Sequence, residues 1–274
     1  MKERARRIHI TSSGPRTGTT LLAEVMKTCF EIDGYCDHEA PLCRSNSSFG
    51  KCNIILTKYP SDIKYFEKVL KWDPKLFVIC LIRDPRDMVC SYHGKIEDKY
   101  YCDLKYWFSF IKDFEKLKGN PRVLLIKYED FTQNPDRVQE LIMENAPFLI
   151  KKHNFSEFHL FAQPVNDSLK ALKKLRPIES KGIGNWKNHL PRIKQQIQEF
   201  DSIDSSLIAF GYESDTNWSE LLKNVESEIF VTVKKNVHGV WRQTKSLILT
   251  YLNIYLEKRG VDPDKFLAPF KKII

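Results

Sequence analysis

The stretch Ser12-Ser13-Gly14-Pro15-Arg16-Thr17-Gly18-Thr19-Thr20 constrains this chain more than any other part of it. It follows the apolar start Arg7-Ile8-His9-Ile10 and precedes Leu21-Leu22-Ala23-Glu24-Val25-Met26. The pattern predicts a short strand, a glycine-bearing turn and a helix with apolar positions 21, 22, 25, 26 and 29 on one stripe. Such a unit aims backbone N–H groups and the positive end of a helix at one point, where a phosphate is stabilised. A nucleoside-triphosphate loop would place Gly-Lys-Ser/Thr at the helix start, with the lysine on the outer phosphates and the hydroxyl on magnesium. Here Gly18 is followed by Thr19-Thr20, and the loop's cation is Arg16. That chemistry suits a 5′-phosphate without a triphosphate–magnesium group.

Four runs read as buried parallel strands: 7–11, 53–57, 76–82 and 122–127. They are short, apolar and rich in β-branched residues, and helical patterns separate them. Residues 62–71, 87–118 and 134–145 supply crossover helices, and further helices are expected at 192–209 and within 217–258. The expected fold is therefore three-layer α/β with a mainly parallel central sheet. It occupies 1–215, with a helical C-terminal extension, 216–274, packed upon it. Ligands in such sheets gather at the carboxyl ends of the strands.

The formal net charge is +9 over 274 residues, which suits an anionic cofactor, an acidic substrate or a membrane surface. No nucleic-acid recognition motif accompanies it, so no nucleic-acid partner is expected. All seven cysteines fall within the first 102 residues, an odd number without a CxxC pair, which argues against a disulfide framework or a zinc site. Cys36, Cys43 and Cys52 lie close enough in sequence to leave a metal or redox role open. No apolar run is long enough for a signal core or a membrane span, and the expected setting is the cytoplasm, with peripheral membrane attachment open. Segment 237–258 carries Trp241, Leu247, Ile248, Leu249, Tyr251, Leu252 and Tyr255 among basic residues. It is expected to pack on the domain, with a membrane or oligomer contact as the alternative.

After the third strand comes Arg83-Asp84-Pro85-Arg86-Asp87-Met88-Val89-Cys90-Ser91. An arginine at the strand exit, with Ser91 two turns along a Pro85-initiated helix, can hold a second phosphate through charge-assisted hydrogen bonds. With both anion motifs in hand, the sequence resembles the sulfotransferases that use 3′-phosphoadenosine 5′-phosphosulfate (PAPS) and release 3′-phosphoadenosine 5′-phosphate (PAP). Pro15 to Thr20 matches that family's 5′-phosphosulfate loop, and Arg83 with Ser91 matches its 3′-phosphate motif. Tyr128-Glu129-Asp130 and Lys181-Gly182-Ile183-Gly184-Asn185-Trp186-Lys187-Asn188 are similar to two further family segments.

The resemblance implies that Arg16, Thr17, Gly18, Thr19 and Thr20 hold the phosphosulfate and that Arg83 and Ser91 hold the 3′-phosphate. It also implies that Lys181 and Gly182 close over that phosphate and that Tyr128 lies near the adenine. The family's late loop often carries an arginine before its lysine, but Ser180 stands here, so Arg176 takes that contact or it is missing. Cytosolic members place a histidine in a Lys-Thr-His-x-Pro segment, where this chain has Leu56-Thr57-Lys58-Tyr59-Pro60. Lys58 at that position suits leaving-group stabilisation, or proton abstraction if burial lowers its pKa. Carbohydrate-type members carry a catalytic glutamate after the first helix, and Glu39 is the nearest match, with Asp37, His38 and His93 in reserve. The expected reaction moves a sulfonate to a hydroxyl or amine of a small-molecule, sugar or lipid-linked acceptor, without a metal. The alternatives are a magnesium-dependent nucleotide kinase and a non-catalytic nucleotide-binding protein of the same fold.

Overall fold

The structure, a computed structural model, describes residues 4–35, 38–44, 52–92, 99–232 and 240–268. Strand β1 (Arg6–Ser12) leads through the glycine loop into helix α1 (Thr19–Cys29). There follow β2 (Gly34–Tyr35), β3 (Ile54–Lys58), α2 (Ile63–Trp72), β4 (Leu76–Ile82), α3 (Pro85–Val89), β5 (Lys99–Tyr100) and α4 (Leu104–Phe114). Next come β6 (Val123–Lys127), α5 (Tyr128–Gln133), α6 (Pro135–Asn145), α7 (Phe158–Phe161) and α8 (Asn166–Leu172). The chain then forms α9 (Leu190–Glu199), α10 (Asp204–Ala209), β7 (Val231–Thr232), α11 (Val240–Lys258) and α12 (Pro263–Leu267).

Five strands make one parallel sheet in the order β2-β3-β1-β4-β6. The chain order reverses beside β1, so the ends of β1, β3 and β4 flank a switch point where α/β sheets bind ligands. Every residue of β4 is buried, because its two sets of side chains enter two cores. Leu76, Val78, Cys80 and Ile82 pack with Phe66, Trp107 and Phe110. Phe77, Ile79 and Leu81 pack with Ile8, Ile10, Leu22 and Met26. The period-2 alternation of the strand thus separates the two helical layers.

The four expected strands lie within a residue of their expected positions. The long helix expected at 87–118 is instead two, since α3 stops at Val89 and Asp103 caps a new start by accepting from the Lys105 N–H at 3.1 Å. The 192–209 run is likewise broken, with Phe200 extended after α9. Within 217–258, a 3₁₀ turn at Asn217–Leu222 and the β7 strand precede α11. A small parallel pair, β5 with β7, also forms, beyond reach of the periodicity because each strand has two residues. Helix α11 lies along α2, where Trp72 meets the Tyr251 ring at 5.0 Å and the Trp72 carbonyl accepts from Lys258. Among the described residues no helix is long and apolar enough to cross a membrane.

Candidate active site

The loop after β1 is held by its own side chains and by the neighbouring strands. The Thr17 hydroxyl donates to the Gly14 carbonyl at 2.7 Å, and the Ser12 hydroxyl donates to the same oxygen at 2.9 Å. The Ser13 N–H donates to the Leu81 carbonyl at 3.0 Å, tying the loop to β4. Gly18 occupies the N-cap of α1 at φ 90°, and no side chain among the described residues caps the helix. The first N–H groups of α1 therefore have no helical acceptors and face the loop. A Cβ at Gly18 would sit 2.8 Å from the Tyr128 ring, so that close approach and the positive φ both require glycine. Arg16 also has positive φ, 67°, and its exposed guanidinium lies 5.9 Å from the centroid of Tyr101. An uncapped helix start, a glycine cradle and a cation make a pocket that fits one phosphate-type anion.

Lys58, at the end of β3, enters this pocket from the side. Its side chain is only 2 % exposed, and its ammonium donates to the Thr20 hydroxyl at 3.0 Å. Glu39 approaches the same ammonium at 3.9 Å from a more open position. Burial brings the Lys58 pKa down to about 8, with Glu39 and Glu24 pulling the other way. The structure thus brings together the two residues that the sequence offered as leaving-group cation and base. It also buries the lysine, which the strand-end position did not reveal. The Ala40 N–H donates to the Lys58 carbonyl, and Leu42 N–H donates to Asp62 at 2.7 Å, fixing the loop that bears Glu39. His38 meets Ser168 at 3.4 Å, while Asp37 and His93 lie outside the described residues.

Arg83 emerges where β4 ends and bridges two loops. One guanidinium nitrogen donates to the Arg16 carbonyl at 2.8 Å and the other to the Gly182 carbonyl at 2.6 Å. The guanidinium carbon lies 4.6 Å from the centroid of Tyr128, and the buried Nε has no hydrogen-bond partner among the described residues. An orphaned buried donor beside a glycine is a fitting feature for a second anion. Ser91 is not two turns along a helix: α3 ends at Val89, and the Ser91 carbonyl accepts from Tyr101 N–H. That bond draws the chain toward β5, while the Ser91 hydroxyl donates back to the Asp87 carbonyl at 3.1 Å. Lys181 is well exposed and pairs with Glu179 at 3.2 Å; Arg176 reaches the same carboxylate at 3.6 Å.

Two residues of the α3 turn escaped the sequence reading. Asp87 accepts from the Gly184 N–H at 2.7 Å and the Trp186 N–H at 2.8 Å, which anchors the late loop. Arg86 is buried between Trp186 and Trp218, at 4.1 and 4.9 Å from their centroids, and pairs with Asp84 and Glu213. The available signal was the alternation Arg83-Asp84-Pro85-Arg86-Asp87 directly after an apolar strand, where four charges cannot all face solvent.

The sequence matches a family model described as a sulfotransferase domain over residues 8–209. No curated protein matches it. Similar solved structures include the sulfotransferase domain from the curacin biosynthetic pathway, at 14% identity and TM-score 0.43, covering 68% of this chain and 92% of that one. A mouse sulfotransferase complexed with PAP matches at 16% identity and TM-score 0.42, covering 73% and 88%. The sulfotransferase domain of a Synechococcus olefin synthase matches at 15% identity and TM-score 0.46, covering 68% and 90%.

Proposed function

The chain belongs to the sulfotransferase domain family, and we propose that it transfers the sulfonate of PAPS to a hydroxyl or amine acceptor by in-line displacement. The observation that carries this reading is Lys58, a buried ammonium 3.0 Å from Thr20 at an uncapped helix start and 3.9 Å from a carboxylate. A cation and a base side by side at an anion pocket are what sulfonate transfer asks of a protein.

When bound, PAPS supplies the activated sulfonate. The N–H groups of Thr17, Gly18, Thr19 and Thr20, with Arg16, hold its 5′ end. Arg83 and Ser91 hold the 3′-phosphate, with Gly182 above Arg83 and Lys181 at the rim. Tyr128, stacked against Arg83, offers a face for the base. Lys58 stabilises charge that accumulates on the departing phosphate. Glu39 takes the acceptor proton; its partial exposure leaves room for an acceptor to reach it. A carboxylate base groups the chain with the members that act on sugars and other polar, sugar-like or lipid-linked acceptors.

Calorimetric titration with PAP, beside ATP with magnesium, tests the proposal. Binding of PAP, weakened by Arg83→Ala, is the expected result. Clear binding of ATP with magnesium and none of PAP would replace this reading with a kinase. Loss of turnover in Glu39→Gln with PAP affinity retained is expected if Glu39 is the base. Unaltered turnover in that variant would assign the proton transfer elsewhere.

A further inference from the structure

Helix α11 spans 19 residues, about 28 Å at 1.5 Å per residue. One side is used up in packing. Thr250, Asn253, Ile254, Leu256 and Glu257 are buried, and Glu257 pairs with Arg4 at 2.6 Å. The opposite side presents Trp241 (78 % exposed), Ile248 (59 %), Tyr251 and Tyr255 to solvent. Steps of seven, three and four residues put these four on a single stripe running about 21 Å along the helix. Tyr251 and Tyr255 stack on one another, and Arg259 caps the row at 4.4 Å from the Tyr255 centroid. Phe266 on α12 is also half exposed.

The charge around this stripe is mainly positive, with Asp262 and Asp264 at the start of α12 as the nearby acids beyond α11 and α2. Along the described side chains from 243 to 259 the cations are Lys245, Lys258 and Arg259 against one acid, Glu257, which is buried and already paired. The neighbouring α2 adds exposed Lys64, Lys68 and Lys71, spaced by four and three on one face, with Glu67 held by Lys71 at 3.8 Å. The two helices run side by side in the same direction. Tyr65 hydrogen-bonds Ser246 at one end, and the Trp72 carbonyl accepts from Lys258 at the other.

We propose that the α11 stripe docks the enzyme on an anionic membrane surface, with Trp241, Ile248, Tyr251 and Tyr255 in the headgroup boundary and the cations of α11 and α2 on acidic lipids. Trp and Tyr favour that boundary, and an amphipathic basic helix lies in it without crossing. A second copy related by a two-fold axis would set Lys258 and Arg259 against like charges. A nucleic acid would satisfy the cations but leave Ile248 and Trp241 without apolar cover. The proposal is independent of the sulfonate-transfer reading, because none of these residues borders the anion pockets.

Sedimentation with vesicles of phosphatidylcholine alone and of phosphatidylcholine with phosphatidylserine, using the full chain, decides the matter. Binding is expected only to the anionic vesicles, weakening as salt rises. Trp241→Ser with Ile248→Ser should reduce it by at least tenfold. Lys64→Gln with Lys68→Gln, both exposed on α2, should reduce it about 25-fold, at roughly fivefold per basic residue. All four changes sit on exposed positions, so melting temperature and PAP titration should match the parent and exclude misfolding. No binding to anionic vesicles, or binding that both double variants retain, overturns the proposal. So does a concentration-dependent dimer that Trp241→Ser abolishes while lipid has no effect.

Discussion

Asp87 holds Trp186 in place: its carboxylate accepts the Trp186 backbone N–H at 2.8 Å while its other oxygen accepts the Gly184 N–H at 2.7 Å. The segment from Arg83 to Asp87 therefore faces two ways. Arg83 points to the anion pocket, and Arg86 and Asp87 point back to secure the loop whose Gly182 carbonyl covers Arg83. Binding and closure are built from one short turn.

Asp87→Ala should weaken PAP binding without touching the nucleotide. Each charge-assisted bond to the carboxylate is worth about 1.5–3 kcal/mol, and the loop's ordering cost replaces part of that, so a loss of roughly tenfold to a hundredfold is expected. Asp87→Asn keeps one acceptor oxygen and should fall between. Burial raises the Asp87 pKa, so parent affinity should also decline on acidification at a higher pH than an ordinary carboxylate would cause. Calorimetry across a pH series reads both effects; equal affinities in all three proteins would remove Asp87 from the binding apparatus.

Lys58 makes a prediction whose sign matters. Its pKa is lowered to about 8 by burial, so near pH 8.5 much of it is neutral in the free enzyme. Phosphate charge arriving beside it favours the ammonium, so PAP binding at that pH should take up a proton. Titrations in Tris and in Hepes should then give enthalpies that differ by the buffers' ionisation heats, and Lys58→Met should abolish the difference. In turnover, a leaving-group cation predicts activity that falls as pH rises through this range, whereas a lysine base predicts the reverse. Removing the ammonium should cost roughly a hundredfold to a thousandfold in kcat.

Gly18→Ala should be destabilising. The residue would have to adopt φ 90° and push its methyl within 2.8 Å of the Tyr128 ring. The backbone penalty alone is about 1–2 kcal/mol, or a few degrees of melting temperature, before displacement of the ring is counted. Thermal unfolding reads the cost. Gly119→Ala, also at positive φ but with nothing within 4 Å, supplies the control for strain without crowding.

The buried pair His9 and Asp62, 3.4 Å apart, carries opposing proton linkages. Burial pushes Asp62 from 3.8 up to about 7, so its contribution is present at acid pH and lost as pH rises through that interval. Burial pushes His9 from 6.5 down to about 3, so its contribution is present above 6.5 and lost as pH falls toward 3. Where the intervals overlap, the two slopes cancel. Asp62→Asn leaves the histidine alone, and stability should then fall by up to about 1.4 kcal/mol per pH unit below 6.5. Urea unfolding at stepped pH measures this; parallel profiles for parent and variant would count against it.

What could be read in the sequence was local. Strands β1, β3, β4 and β6 announce themselves by short β-branched runs, and Gly18 by its place between a strand and an amphipathic helix. Arg83 is legible because a charge directly after a fully apolar strand must stand at its exit. Ser91 is misplaced by the same reasoning, since the end of α3 is set by pairing between Ser91 and Tyr101, not by anything within the helix. The Asp87 anchor joins residues 97 and 99 positions apart, and no spacing rule reaches that far. Lys58 was found by position, but its burial depends on α1 and on the Glu39 loop folding over it.

Arg4 closes a circuit that bears on how this enzyme is assembled. It precedes the family-matched stretch 8–209, yet it grips Asp73 at the end of α2 and Glu257 near the end of α11. Helix α11 is consequently a strap whose buckle is made from both flanks of the shared module. Trimming the N-terminal flank should loosen the opposite end of the chain, and a version pared to the shared module loses strap and buckle together.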